Sequence, residues 1–100
     1  MKQEIFNTYT DRVCDIFSVD EKILFEKVKR QDVVDARHLL YYLCSQRFMK
    51  VVYIMEYMAE KGYVIGNSSV QYGINAVKKR AKKDADYKTF IKEVEIIIKK

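Results

Sequence analysis

The side chains best suited to chemistry in this sequence are hydrogen-bonding and cationic groups. They gather in Gly66-Asn67-Ser68-Ser69-Val70-Gln71-Tyr72 and the segment that follows. Ser68 with Gln71 three residues on has capping-box spacing, which predicts a helix starting here. Val70, Ile74, Val77 and Ala81 recur at spacings of four, three and four, the apolar stripe of one helix. Gln71, Asn75, Lys79 and Lys82 fall on its opposite face, flanked by Lys78, Arg80 and Lys83. Short polar side chains at the start of such a helix can pair with base edges in a nucleic-acid groove, while ammonium groups near its end lie over phosphates. A capped, solvated surface helix has the same pattern, so the stretch alone leaves both readings open.

Catalytic constellations are missing. His38 is the only histidine, and a lone helical histidine is more often a surface or core residue than a base. The three glycines, Gly62, Gly66 and Gly73, form no phosphate-cradling loop. Glu93 and Glu95 fall on different faces of a helix. Cys14 and Cys44, beside apolar helical stripes, suggest buried thiols in a reducing compartment, not a zinc site or a disulfide framework. The sequence reads as a non-enzyme with no cofactor, no metal and no small-molecule substrate.

The elements that must position these groups are helical. One hundred residues without proline, with three glycines and no hairpin signal, predict a single mostly helical domain spanning 1–100. Ile5, Phe6, Tyr9, Val13, Ile16 and Phe17 mark a first helix over 3–17, with Asp11, Arg12 and Asp15 outward. Ser18 and Glu21 have capping-box spacing before a short helix to about Phe25, whose Ile23, Leu24 and Phe25 would close over the first. Residues 26–31 lack periodicity and carry Lys27, Lys29 and Arg30, an exposed basic loop. Asp32 is the expected N-cap of a third helix to about residue 46, with Val33, Ala36, Leu40 and Leu43 inward and Arg37, His38, Tyr41 and Tyr42 off that stripe. Phe48, Val51, Val52, Met55 and Met58 indicate a fourth, ending near Gly62. A glycine-containing turn to the capped basic helix then makes a helix-turn-helix pattern. Asp84 is the N-cap expected for a final helix bearing Phe90, Val94, Ile97 and Ile98.

Charge narrows the partner. Residues 1–26 hold three basic and six acidic side chains, giving −3, and residues 27–100 hold sixteen basic and eight acidic, giving +8. A basic remainder behind an acidic start points to a polyanion, although lysine used only for solubility gives the same balance. No signal-peptide core follows Met1, and no apolar run approaches the ~20 residues of a membrane span, so the chain reads as cytoplasmic with no membrane partner. Tyr41, Tyr42, Tyr53, Tyr57 and Tyr63 cluster around the helix pair. They are candidate stacking platforms for single strands, but their helical spacing also fits half-buried packing with the hydroxyl in water.

The order of short helix, basic loop, long helix with Val34-Asp35-Ala36-Arg37-His38-Leu39-Leu40-Tyr41-Tyr42-Leu43, helix, turn and Asn67-Ser68-Ser69-Val70 resembles the C-terminal duplex-DNA-binding domain of the bacterial replication initiator DnaA. The likeness runs from about residue 5 to residue 98, with partial matches to the family's V-E-A-R-Q and D-H-[ST]-T-V segments. It implies a helical bundle containing a helix-turn-helix. It also implies a minor-groove role for Lys29 with Arg30 beside it, and contacts from Arg37, Asn67, Ser68 and Ser69 at the positions of the family's arginine, histidine and hydroxyl residues. Gly66 stands where the family has an aspartate, so one base contact lacks a counterpart; duplex binding carries over, the initiator's usual box does not. With no ATPase module in the sequence, the expectation is a stand-alone regulator, accessory replication factor or competitor for initiator sites.

The expected function is therefore sequence-preferring binding of double-stranded DNA, in replication or transcription control. Asn67, Ser68, Ser69, Gln71, Tyr72 and Asn75 would face the major groove. Lys27, Lys29 and Arg30 would approach the minor groove or its phosphates, and Lys78, Lys79 and Lys82 would hold the backbone. The alternatives are a helical module docking on a replication or regulatory protein, which needs an exposed apolar patch, and a structured-RNA binder using the same lysines.

Overall fold

The computed structural model describes residues 2–98, with side chains as far as Glu95. Among them are six helices and no strand: α1 Lys2–Phe17, α2 Glu21–Leu24, α3 Gln31–Gln46, α4 Val51–Glu60, α5 Asn67–Lys83 and α6 Ala85–Ile98. The all-α bundle expected from the periodicity is what forms. α3 is the central helix, packing on α1, α2, α4 and α5, and α6 closes against α5. Its stripe of Val33, Ala36, Leu40 and Leu43 is fully buried, and meets Phe6, Tyr9 and Val13 of α1 and Val70, Ile74 and Val77 of α5 in one core. Each large apolar side chain withdrawn from water contributes about 1.5–3 kcal/mol.

Gly73 sets how closely α5 approaches α3. A Cβ there would lie 2.8 Å from both His38 Cδ2 and Tyr41 Cδ2, so only hydrogen fits. That contact sets the first half of α5 against the middle of α3.

The helix ends differ in part from the sequence expectation. Ser18 is not an N-cap; it takes a left-handed conformation (φ 52°) that closes α1, and Val19 N–H donates to Cys14 O at 2.9 Å. Asp20 caps α2 instead, accepting from Lys22 N–H at 3.4 Å. Arg30, not Asp32, precedes α3, and Asp32 lies inside its first turn. Gly66, not Ser68, is the N-cap of α5; no side chain caps that end, and Ser68 and Gln71 are exposed within the helix.

Phe48 departs most. It closes α3 in a left-handed conformation (φ 62°) and points outward, 93% exposed, while Met49 turns in. α4 then begins at Val51 and buries Ile54 and Met58, leaving Val52 exposed. Gly62 (φ 89°) ends α4 as expected, and Asp84 caps α6 by accepting from Asp86 and Tyr87 N–H at 3.0 and 3.2 Å. Ile91 and Val94 anchor α6 in the core with Phe90 half-buried; the side chains of Ile97 and Ile98 lie outside the described residues.

Candidate nucleic-acid interface

The basic loop between α2 and α3 is held from both sides. Arg37, only 5% exposed, donates from Nε to Leu24 O at 2.7 Å, from Nη1 to Val28 O at 3.2 Å and from Nη2 to Glu26 O. Its guanidinium also lies 4.6 Å from the centre of the Tyr63 ring. Lys27 Nζ donates to Val64 O at 2.9 Å and sits 4.7 Å from the same ring. Tyr63 and Val64 belong to the connection between α4 and α5, so these contacts tie the loop to the segment that launches α5. Arg37 is thus engaged inside the protein, where it shapes the loop and lines part of a cleft. The sequence offers Tyr63 only as one of five clustered tyrosines, and nothing in it points to this latch.

Arg30 also has a partner: its Nε lies 2.8 Å from the exposed Asp32 carboxylate, whose pKa is lowered by that hydrogen bond. Lys29 differs from both neighbours. It is exposed and has no ion pair among the described residues.

Through the latch, the loop and the start of α5 share one cleft of about 500 Å³, lined by Lys27, Lys29, Ser68, Ser69 and Tyr72, with Val28, Val34, Ile65, Tyr63 and His38 behind them. A second depression of about 410 Å³ continues along α5 past Asn75, Lys79, Arg80 and Lys83. Tyr72, 70% exposed, borders both. Lys27, Lys29, Ser68, Ser69, Tyr72, Asn75 and Lys79 therefore lie on one continuous surface. Asn67, Gln71, Lys78 and Lys82 are exposed on α5 but line neither hollow. Arg80, exposed, reaches towards α3 and α6, 4.0 Å from Asp35 and over the Tyr87 ring at 4.3 Å.

His38 stands at the back of the cleft with its ring edge-on to Tyr72, centroids 5.8 Å apart and planes at 74°. Burial lowers its pKa from the ordinary 6.5; Asp35 opposes that shift and Arg37 adds to it. Of the five clustered tyrosines, Tyr41 is buried and Tyr42, Tyr53, Tyr57 and Tyr63 are half-buried against the core. Among the described residues no three metal-ligating side chains gather, and no helix is long and apolar enough to cross a membrane. No protein-family model, curated protein or solved structure matches the chain.

Proposed function

We propose that the protein binds double-stranded DNA with sequence preference, as a non-enzymatic cytoplasmic module of replication or transcription control. The observation that carries this reading is the shared cleft: loop residues Lys27 and Lys29 and α5 residues Ser68, Ser69 and Tyr72 face one hollow, from which Asn75 and Lys79 lead on along α5. In this reading α4 and α5 work as the helix-turn-helix, as in the DnaA C-terminal domain that the sequence resembles. α5 enters the major groove with Asn67, Ser68, Ser69, Gln71, Tyr72 and Asn75 towards base edges. Lys29 reaches the adjacent minor groove, and Lys78, Lys79 and Lys82 neutralise phosphates. Arg37 and Lys27 act by fixing the loop, with Arg30 at its edge.

Selection of bound sites from random duplex, followed by titration of the selected site against a scrambled one, tests the reading. An enriched motif bound several-fold more tightly than the scramble supports it; failure to retain any duplex at low salt rejects it. A second reading rests on Phe48 and Val52, 93% and 59% exposed at the α3–α4 corner. There the bundle would dock on a replication or regulatory protein through these side chains.

A further inference from the structure

The cleft between the loop and α5 has more aromatic and apolar wall than a phosphate rest requires. Val28, Val34, Ile65 and Tyr72 line it together with its lysines, and about 500 Å³ is the size of a small-molecule pocket. Its cations are not equivalent. Arg37 and Lys27 are engaged by backbone carbonyls, and both lie over the Tyr63 ring. Lys29 is uncommitted and exposed. Its aromatic rings are not equivalent either: Tyr41 is buried, Tyr63 already carries two cations, and Tyr72 is 70% exposed at the mouth, steadied by the His38 ring edge-on to it. The far wall holds the Ser68 and Ser69 hydroxyls, at a helix start that no side chain caps.

A free aromatic face, an unpaired ammonium and two hydroxyls around one hollow match the two ends of a nucleotide, a flat base and a phosphate. We propose that the cleft holds an unpaired nucleotide, its base stacked on Tyr72 and its phosphate between Lys29 and the Ser68–Ser69 hydroxyls. This rests on the duplex-binding reading and deepens it: a duplex with an extruded or bulged nucleotide is the preferred form, because a base already out of the stack costs nothing to unpair. The same base–phosphate chemistry could come from a free mononucleotide.

The test uses three probes at one salt concentration: an intact duplex, the same duplex with a single unpaired 2-aminopurine, and 2-aminopurine riboside 5′-monophosphate. The protein is expected to bind the bulged duplex about tenfold more tightly than the intact one and to quench the fluorophore, as stacking on an aromatic ring does. Tyr72→Ala should bring the ratio of the two duplex affinities to about one and abolish quenching, whereas Tyr72→Phe keeps both. Lys82→Ala should weaken both duplexes alike and leave the ratio unchanged. Quenching of the mononucleotide as well assigns free nucleotides to the cleft; quenching in the bulged duplex alone assigns it to the strand. Equal affinity for the two duplexes without quenching overturns the cleft inference and leaves duplex binding standing. Quenching of the unpaired probes without binding of the intact duplex keeps the cleft and overturns the duplex reading.

Discussion

Arg37 and Lys29 carry the same charge to opposite ends. Arg37 is buried with its fork divided among the carbonyls of Leu24, Glu26 and Val28, an arrangement that only a planar guanidinium can make. Arg37→Met would leave these acceptors without their donor, and a loss of about 2–3 kcal/mol in urea unfolding is expected. Arg37→Lys keeps the charge but not the fork, so it should recover only part of that loss. Lys29 contributes nothing of the kind to the fold. Lys29→Ala should leave stability unchanged, weaken duplex binding and lessen its log–log salt slope by about one unit. Lys29→Arg should bind as well or better, most on A·T-rich flanks whose narrow minor groove attracts arginine. If Lys29→Ala bound like wild type while Lys82→Ala did not, the loop would have no part in the interface. His38 gives the residue scale a pH signature. Its pKa is lowered in the folded state by burial, so the unfolded chain binds its proton first. Its contribution is complete above the unfolded value near 6.5 and is lost as pH falls from there through the folded value. His38→Gln should flatten the decline in stability as pH falls below the ordinary histidine value of 6.5, without altering the steeper loss at carboxylate pH.

Helix starts and helix ends were unequally legible at the scale of elements. The interiors followed from periodicity, because Val33, Ala36, Leu40 and Leu43 or Val70, Ile74 and Val77 can be buried together only on a helix. The ends of α1, α3 and α4 all close in one way: a left-handed residue, Ser18, Phe48 or Gly62, precedes one whose N–H reaches back five residues, Val19 to Cys14, Met49 to Cys44 and Tyr63 to Met58. Only the glycine announces such an end in a sequence. Ser18 was therefore readable as the start of the next helix, and Phe48 as part of an apolar stripe. Capping boxes failed for a related reason: serine is equally at ease inside the first turn, and at α5 the extended residue is Gly66 (φ −95°). The consequence is a contrast between two substitutions. Asp84→Ala removes a cap that accepts two N–H groups and should cost ~1 kcal/mol, whereas Ser68→Ala should change stability by less than about 0.5 kcal/mol. Gly73→Ala tests the α3–α5 contact. An exposed helical glycine gains up to about 1 kcal/mol from this change, but here the methyl group would meet the His38 and Tyr41 rings, and a net loss of about 1–3 kcal/mol is expected by thermal unfolding.

For the whole molecule, the shared cleft could not be derived from periodicity along the chain. Lys29 and Ser68 line one cleft because Arg37, Tyr63 and Lys27 bring the loop to the α4–α5 connection. Periodicity reports only on residues a few positions apart. Charge balance was legible, since −3 over residues 1–26 and +8 over 27–100 is a property of the sequence itself. Whether that asymmetry acts as a field or through contacts is a question that salt can answer. Counterion release counts phosphates covered, not net charge, so about five to seven neutralised phosphates should give a slope of roughly −5 to −6 in log K against log salt. Lys78→Ala, Lys79→Ala and Lys82→Ala should each lower its magnitude by about one, and equally for selected and scrambled duplex. Asn67→Ala or Asn75→Ala should leave the slope alone and erode the preference at one or two base positions, since a bidentate amide–adenine pair supplies ~1–3 kcal/mol of discrimination. Asp11→Asn with Asp15→Asn, both exposed on α1, is the control for the field. It raises the net charge by as much as two lysines would, yet adds no phosphate contact, so the slope should stay where it was. A slope that steepens with this pair, or that is flat in the wild type, would mean that no defined set of lysines grips the duplex.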